Sequence, residues 1–130
     1  MKSGLVIYAS DRQPLVNFYV HVFELVVRES EEDYTALISG DFELVVIQAP
    51  AAYMNSVTIE NPPQARESTP IKPVFFTTEP LADLRARIQS MGGQCNLPEQ
   101  EWSFNDHVVC DGWDVEGNIF QMCLLKKSLT

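Results

Sequence analysis

The chain has 130 residues, 9 basic and 18 acidic side chains for a net charge of −9, three cysteines, and 45% hydrophobic residues. That length and apolar content suit one globule able to bury about two-thirds of its unfolded surface, and they exclude a disordered chain. An acidic chain with a pI near 4.5 lacks the clustered lysines and arginines that displace counterions from phosphate, so nucleic acid and anionic membrane are excluded as partners, while cationic ligands would be attracted.

The first expected element is a strand over Leu5–Ala9, closed by Ser10-Asp11 as a helix cap. Pro14 suits the first turn of the helix that follows, and Leu15, Phe18, Tyr19, Val22 and Phe23 recur at helical spacing as its buried face. Leu25–Val27 returns to strand character, and 30–33 reads as a solvated hairpin tip. Tyr34–Ile38 and Phe42–Ile47 are two more strands, joined by a turn at Ser39-Gly40-Asp41. Residues 50–70 carry Pro50, Pro62, Pro63 and Pro70 and read as a long irregular connection, a feature that in compact domains is usually functional or a linker. Within it, 53–59 is compatible with either a short strand or a helical turn.

The pattern then repeats. Pro73–Thr77 is a strand, and Glu79-Pro80 opens a helix burying Leu81, Leu84, Ile88 and Met91, which Gly92-Gly93 ends. Gln94–Asn96, His107–Cys110 and Ile119–Leu125 are three further strands, the last preceded by a turn at Glu116-Gly117-Asn118. The organisation is therefore two βαβββ modules, about 1–49 and about 71–130, within a single domain over 1–130. Neither module can bury its own sheet, so the two must pair. The apolar run at Leu5-Val6-Ile7 is too short for a signal peptide, and Cys95, Cys110 and Cys123 have no CxxC spacing. A cytoplasmic protein with reduced thiols is the expectation.

Three local patterns carry a resemblance. The segment from Asn17 to Leu25, a few residues after Asp11, resembles the first-helix signature FYxxVFGL of the vicinal oxygen chelate superfamily, with Glu24 at the usual Gly. That superfamily contains the glyoxalases, bleomycin-resistance proteins and extradiol dioxygenases. Leu81-Ala82-Asp83-Leu84 with Ser90-Met91-Gly92-Gly93 resembles its second-module helix. Asp114-Val115-Glu116-Gly117-Asn118-Ile119-Phe120-Gln121-Met122 resembles its DPEGNxxxL turn, with Val115 at the usual Pro. The resemblance runs from about Leu5 to Leu125 and implies an α+β fold in which two βαβββ modules form a curled mixed sheet around a cavity, helices outside. It also implies a homodimer, with the modules pairing either within one chain or between chains.

Metal-dependent members of that superfamily use four ligand positions, which in this chain correspond to Gly4, a position near Val46, Ile47 or Gln48, Pro73, and Gln121. Gly4 and Pro73 have no ligating side chain, and Glu43 has the wrong strand parity to join Gln48. The expectation is no metal and no other cofactor. If Gly4, Pro73 and Gln121 face inward, strand alternation adds Val6, Tyr8, Phe75, Thr77, Ile119 and Cys123 to the cavity, with Leu5, Ile7, Val74, Phe76, Phe120, Met122 and Leu124 under the helices. Trp102 and Trp113 flank the penultimate strand and are candidates to stack a planar ligand. The expected ligand-binding set is thus Val6, Tyr8, Phe75, Thr77, Trp102, Trp113, Gln121 and Cys123, with no catalytic residue assigned. His21 reads as an exposed helical residue, and Cys110 and Cys123 as inert thiols of the core or wall.

The leading functional expectation is a metal-free protein binding a small organic molecule, cationic or aromatic. The alternative is a glyoxalase-like lyase, isomerase or dioxygenase using a shifted metal site, or His107 with Asp111 as a general base. A third reading makes the pocket vestigial and the protein an accessory subunit.

Overall fold

The computed structural model describes residues 1–126; the last four residues of the second expected module, 127–130, lie outside it. Strand β1 (Ser3–Ala9) leads into helix α1 (Arg12–Phe23), followed by β2 (Val26–Ser30), β3 (Tyr34–Ser39) and β4 (Phe42–Gln48). These strands form a sheet in the order β1-β4-β3-β2, with β1 parallel to β4 and the rest antiparallel. Then come β5 (Val74–Thr77), helix α2 (Leu81–Ser90), β6 (Gln94–Cys95), β7 (Trp102–Phe104), β8 (His107–Trp113) and β9 (Ile119–Leu125). The second sheet has the order β5-β9-β8-β6, with the short hairpin strand β7 also on β8. The α+β architecture and the doubled βαβββ order are therefore present, and β7 is an addition to the expected strands. No helix among the described residues is long and apolar enough to cross a membrane.

Each sheet turns one face to the helices. Leu15, Phe18, Tyr19 and Val22 of α1 are buried as their spacing requires, and so are Leu81, Leu84 and Ile88 of α2. They share a continuous core with Leu37, Leu44 and Val46 of the first sheet and Phe120 and Met122 of the second. Aromatic rings join the halves: Phe23 stacks on Phe75 at 4.0 Å and meets Phe120 edge-on at 5.1 Å. Gly93 is needed where α2 ends, because a Cβ there would fall 2.6 Å from both the Phe18 ring and the Trp113 carbonyl.

Helix α1 ends at Glu24, whose φ of 57° places it in the left-handed region. This is the position where the resembling signature has Gly, and a side chain there costs about 1 kcal/mol of conformational strain. Glu24→Gly is accordingly expected to raise stability by about 0.5–1 kcal/mol in urea unfolding; a loss would mean the Glu24 side chain contributes more than its backbone costs.

The expected inward parity fails on one strand. β5 lies parallel to β9 with Val74 beside Gln121 and Phe76 beside Cys123, so Val74 and Phe76, not Phe75 and Thr77, share the face of Gln121. Phe75 instead packs into the helix-side core, and Thr77 lies on that same side, its Oγ1 accepting the Glu79 N–H at 2.9 Å. Pro73 sits one residue ahead of the strand and meets β9 through its carbonyl, which accepts the Gln121 N–H at 2.9 Å.

Candidate functional site

The turn Asp114–Asn118 joins the modules before it shapes any pocket. Asp114 is fully buried, and its carboxylate accepts the Glu116 and Asn118 backbone N–H groups, the Asn118 side-chain amide, and the Tyr19 hydroxyl of α1 at 2.6 Å. Burial pushes its pKa up to about 6 despite these donors, while burial and then the Asp114 charge push the Tyr19 phenol up. Glu116, also buried, reaches across to the first module and accepts the Ser10 and Asp11 N–H groups at 2.9 and 2.8 Å. These donors lie at and just before the N-cap of α1, where the Asp11 side chain itself makes no capping hydrogen bond. Gln48 completes the cap: its Oε1 accepts the Arg12 N–H at 2.9 Å and its Nε2 donates to the Ser10 carbonyl at 2.7 Å.

The Pro-rich connection then folds over this junction. It is irregular as expected, apart from a 3-10 turn at Ala51–Met54. Trp113 Nε1 donates to the Pro63 carbonyl at 2.9 Å, the Arg66 N–H to the Gly117 carbonyl at 2.9 Å, and the Arg66 Nε to the Glu116 carbonyl at 3.0 Å. Gly117 has a φ of 85°, and a Cβ there would run into the Gln64 carbonyl, so the turn and its cover fit only with glycine. The Tyr53 ring meets the Tyr8 ring edge-on at 6.2 Å.

Between the connection and the two modules lies a cavity of about 550 Å³. Its walls are β1 (Leu5–Tyr8), the connection (Tyr53, Met54, Val57, Arg66, Thr69, Ile71, Pro73) and the start of β9 with its turn (Asn118, Ile119). It is mostly apolar, with a few polar groups, and its size is that of a small-molecule site. Its lining contains no acidic side chain.

The expected site residues divide among three hollows and one anchoring contact. Val6 and Tyr8 line this cavity. Gln121, Cys123 and Trp102 line a second hollow of about 520 Å³ on the open face of the second sheet, with Val74, Phe76 and His107. Phe75 and Thr77 border a third, of about 550 Å³, at the opposite end of the seam near Phe23 and Phe42. Trp113 holds the connection through Pro63. The connection's own contribution was not foreseen. Its proline content marked it as irregular, but which of its side chains turn inward depends on tertiary anchors at Trp113 and Gly117.

The metal positions can be placed in the same way. Gly4 pairs with Glu43, whose carboxylate is held by Arg28 at 2.8 Å and Lys2 at 3.2 Å, an arrangement that also lowers its pKa. Gln48 caps α1, and Gln121 donates to Asp111 at 3.3 Å in the other sheet. Asp111 also accepts Lys72 at 2.6 Å. His107 packs against Phe76 at 5.8 Å, and no hydrogen bond or ion pair joins it to a carboxylate among the described residues. Nor, among those residues, do three His, Cys, Asp or Glu side chains converge in ligating positions. The donor set does not fit the divalent metal that the superfamily resemblance implies.

Cys95 and Cys110 lie on adjacent strands beside Arg85, whose Nη2 is 3.6 Å from the Cys110 sulfur. The Cys110 thiol, followed by Arg85, brings the Cys95 pKa down to about 7, while the Cys110 pKa is driven up, chiefly by Cys95 and then by burial. Burial also raises that of Cys123.

Comparison with solved structures decides the fold. A glyoxalase-related enzyme from Fulvimarina pelagi superposes with a TM-score of 0.69 at 13% identity, over 95% of this chain and 87% of that one. The fosfomycin resistance protein FosX from Listeria monocytogenes, solved with Mn(II) and sulfate, superposes with a TM-score of 0.66 at 13% identity, over 99% and 90%. This is the vicinal oxygen chelate fold. A virulence protein from Salmonella typhimurium shows the same glyoxalase-like architecture at a TM-score of 0.65 and 19% identity, over 96% of both chains. No family model matches the chain, and no curated protein matches it in sequence. At the four positions that the resemblance assigns to metal ligands, this chain has Gly4, a strand segment at Val46–Gln48 whose one polar side chain caps α1, Pro73 ahead of β5, and Gln121 bonded to Asp111.

Proposed function

We propose that the protein is a metal-free, cytoplasmic binding protein for a small organic molecule, taken up in the seam cavity behind the connection. The observation that carries this reading is the connection itself: residues of 53–57 and 66–71 supply about half the lining of a mostly apolar, open-mouthed cavity whose other wall is β1 with Tyr8. A long irregular segment anchored by three backbone contacts is better explained as a cover than as a linker. Tyr8 and Val6 are the assigned ligand contacts in that cavity. Gln121, Cys123 and Trp102 form a second contact set in the open hollow of the other sheet. The aromatic side of the expected ligand has support in the Tyr8 and Tyr53 rings, whereas the cationic side rested on overall charge and finds no acidic group in the lining.

The protein is further proposed to act as a homodimer. Val26, Val74, Phe76 and Phe104 lie on the sheets' non-helix faces and are 40–74% exposed, an apolar content that pairing with a second copy would cover. The lyase or dioxygenase alternative needs a chelating set that these residues do not form.

Native mass spectrometry of untagged protein tests both statements. A metal-free dimer, carrying or readily taking up an organic molecule, is the expected result, together with a melting temperature that EDTA leaves unchanged. One divalent ion per site, or a drop of several degrees with EDTA that Mn, Zn, Ni or Fe restores, would overturn the metal-free reading.

A further inference from the structure

The seam cavity contains one charged side chain, Arg66. Three of the other arginines each hold a carboxylate: Arg28 with Glu43, Arg85 with Glu101, and Arg87 with Glu79. Arg12, the fourth, lies at the surface and donates to the Glu31 carbonyl. Arg66 is half-buried, and the acceptors it meets are neutral. Its Nε donates to the Glu116 carbonyl at 3.0 Å and its Nη2 to the Asn118 side-chain oxygen. Among the described residues no carboxylate lies within ion-pairing distance of it, and its Nη1 has no protein acceptor. In a chain of net charge −9, this half-buried guanidinium keeps N–H groups that no protein carboxylate occupies, and they are open to an anionic ligand entering the cavity.

The geometry also holds that guanidinium in place. Two hydrogen bonds to the Glu116–Asn118 turn fix its plane, and the turn is itself locked by the buried Asp114. Asn118 lines the same cavity. A planar fork with free N–H groups, fixed beside aromatic walls, is suited to bidentate recognition of a carboxylate.

From this we infer that the ligand is an aromatic or otherwise planar organic acid, its carboxylate paired with Arg66 and its apolar body against Tyr8 and Ile119. The inference rests on the reading of the seam cavity as a ligand site and goes beyond it in assigning charge and class. It reverses the preference that the overall charge of the chain implies, because a ligand touching Arg66 meets that charge unscreened while the surface charge is screened, and the nearby Asp114 and Glu116 carboxylates are taken up by Tyr19 and by the start of α1.

Two probes of the same shape separate the assignments: 2-naphthoic acid and its neutral amide, 2-naphthamide, titrated by calorimetry or by tyrosine fluorescence into the full chain. The acid is expected to bind roughly ten- to a hundredfold more tightly than the amide, the difference made by a charge-assisted hydrogen-bonded pair. Arg66→Gln is expected to abolish that difference between acid and amide, whatever the loosened connection does to the affinity for both, and Arg66→Lys to restore part of it. The comparison of probes on the unaltered protein needs no variant, so it stands even if Arg66→Gln loosens the turn. Equal binding of acid and amide, or preference for a naphthyl amine, would overturn the charge assignment and leave the cavity as a ligand site. Failure of every naphthyl probe to bind, or binding that Tyr8→Ala does not affect, would remove the seam-cavity reading and the inference together.

Discussion

Replacing Asp114 with alanine is expected to cost about 4 kcal/mol of stability and to lower the melting temperature by on the order of 15 °C. The carboxylate is the acceptor for four groups at once: the Tyr19 hydroxyl, the Asn118 side-chain amide, and two backbone N–H groups of the turn. All lie around a side chain with no solvent exposure. Truncation leaves a small void that offers these donors nothing, and each unsatisfied buried donor costs about 1–3 kcal/mol before relaxation. Against a total stability of about 5–15 kcal/mol, a loss of this size brings the protein close to unfolding at physiological temperature. Urea unfolding followed by tryptophan fluorescence measures it directly, and a loss under about 1 kcal/mol would show that the turn does not join the modules energetically.

The same residue carries a pH signature of definite sign. Its pKa in the folded protein, about 6, lies above the unfolded value of about 3.9, so the folded state binds the proton more tightly. The carboxyl's contribution is therefore largest below about pH 4, declines as pH rises through the window from about 4 to about 6, and is constant above it. Asp114→Asn removes the titration with little change in size. The stability of the native chain relative to that variant is expected to fall by about 3 kcal/mol between those limits. A flat difference across the window would mean that the four donors cancel the cost of burial.

How these features stood in the sequence follows from their physical range. The doubled βαβββ order was legible because it rests on short-range signals: helical spacing from Leu15 to Phe23, Gly92-Gly93 after the second helix, and turn residues at 39–41 and 116–118. The Asp114–Asn118 motif was recognisable as a turn, but its work was not, since the Asp114–Tyr19 and Glu116–Ser10 hydrogen bonds span 95 and 106 residues. Arg66 was invisible for the same reason. An arginine in a proline-rich stretch reads as a solvated loop residue until the anchors at Gly117 and Trp113 draw the loop over the seam. Strand β7, only Trp102–Phe104, is too short to show alternation. On β1 and β9 the faces set by placing Gly4 and Gln121 inward leave Leu5, Ile7, Phe120, Met122 and Leu124 for the helix side, and these residues do pack against the helix-side core.

On β5 nothing in the residues themselves marks a face: Val74, Phe75 and Phe76 are all apolar, and only the register against β9 separates them. That difference makes a sharp expected result. Phe75→Ala removes a ring that stacks on Phe23 at 4.0 Å and meets Phe42, Tyr19 and Phe120 at 5.9–6.1 Å. The loss is expected to be about 2–3 kcal/mol, below the usual range for a fully buried core phenylalanine because Phe75 is only partly buried. Phe76→Ala, one residue along, truncates a ring that is 74% exposed and touches His107. It is expected to change the stability of the isolated chain by under about 0.5 kcal/mol, and to act on the proposed dimer instead. Measuring both variants by urea unfolding at low protein concentration, with sedimentation at high concentration, separates the two roles. A large loss for Phe76→Ala with a small one for Phe75→Ala would return β5 to the parity in which Phe75 faces the cavity. A large loss for Phe75→Ala, with dissociation confined to Phe76→Ala, would place the core on one face of this strand and the subunit contact on the other.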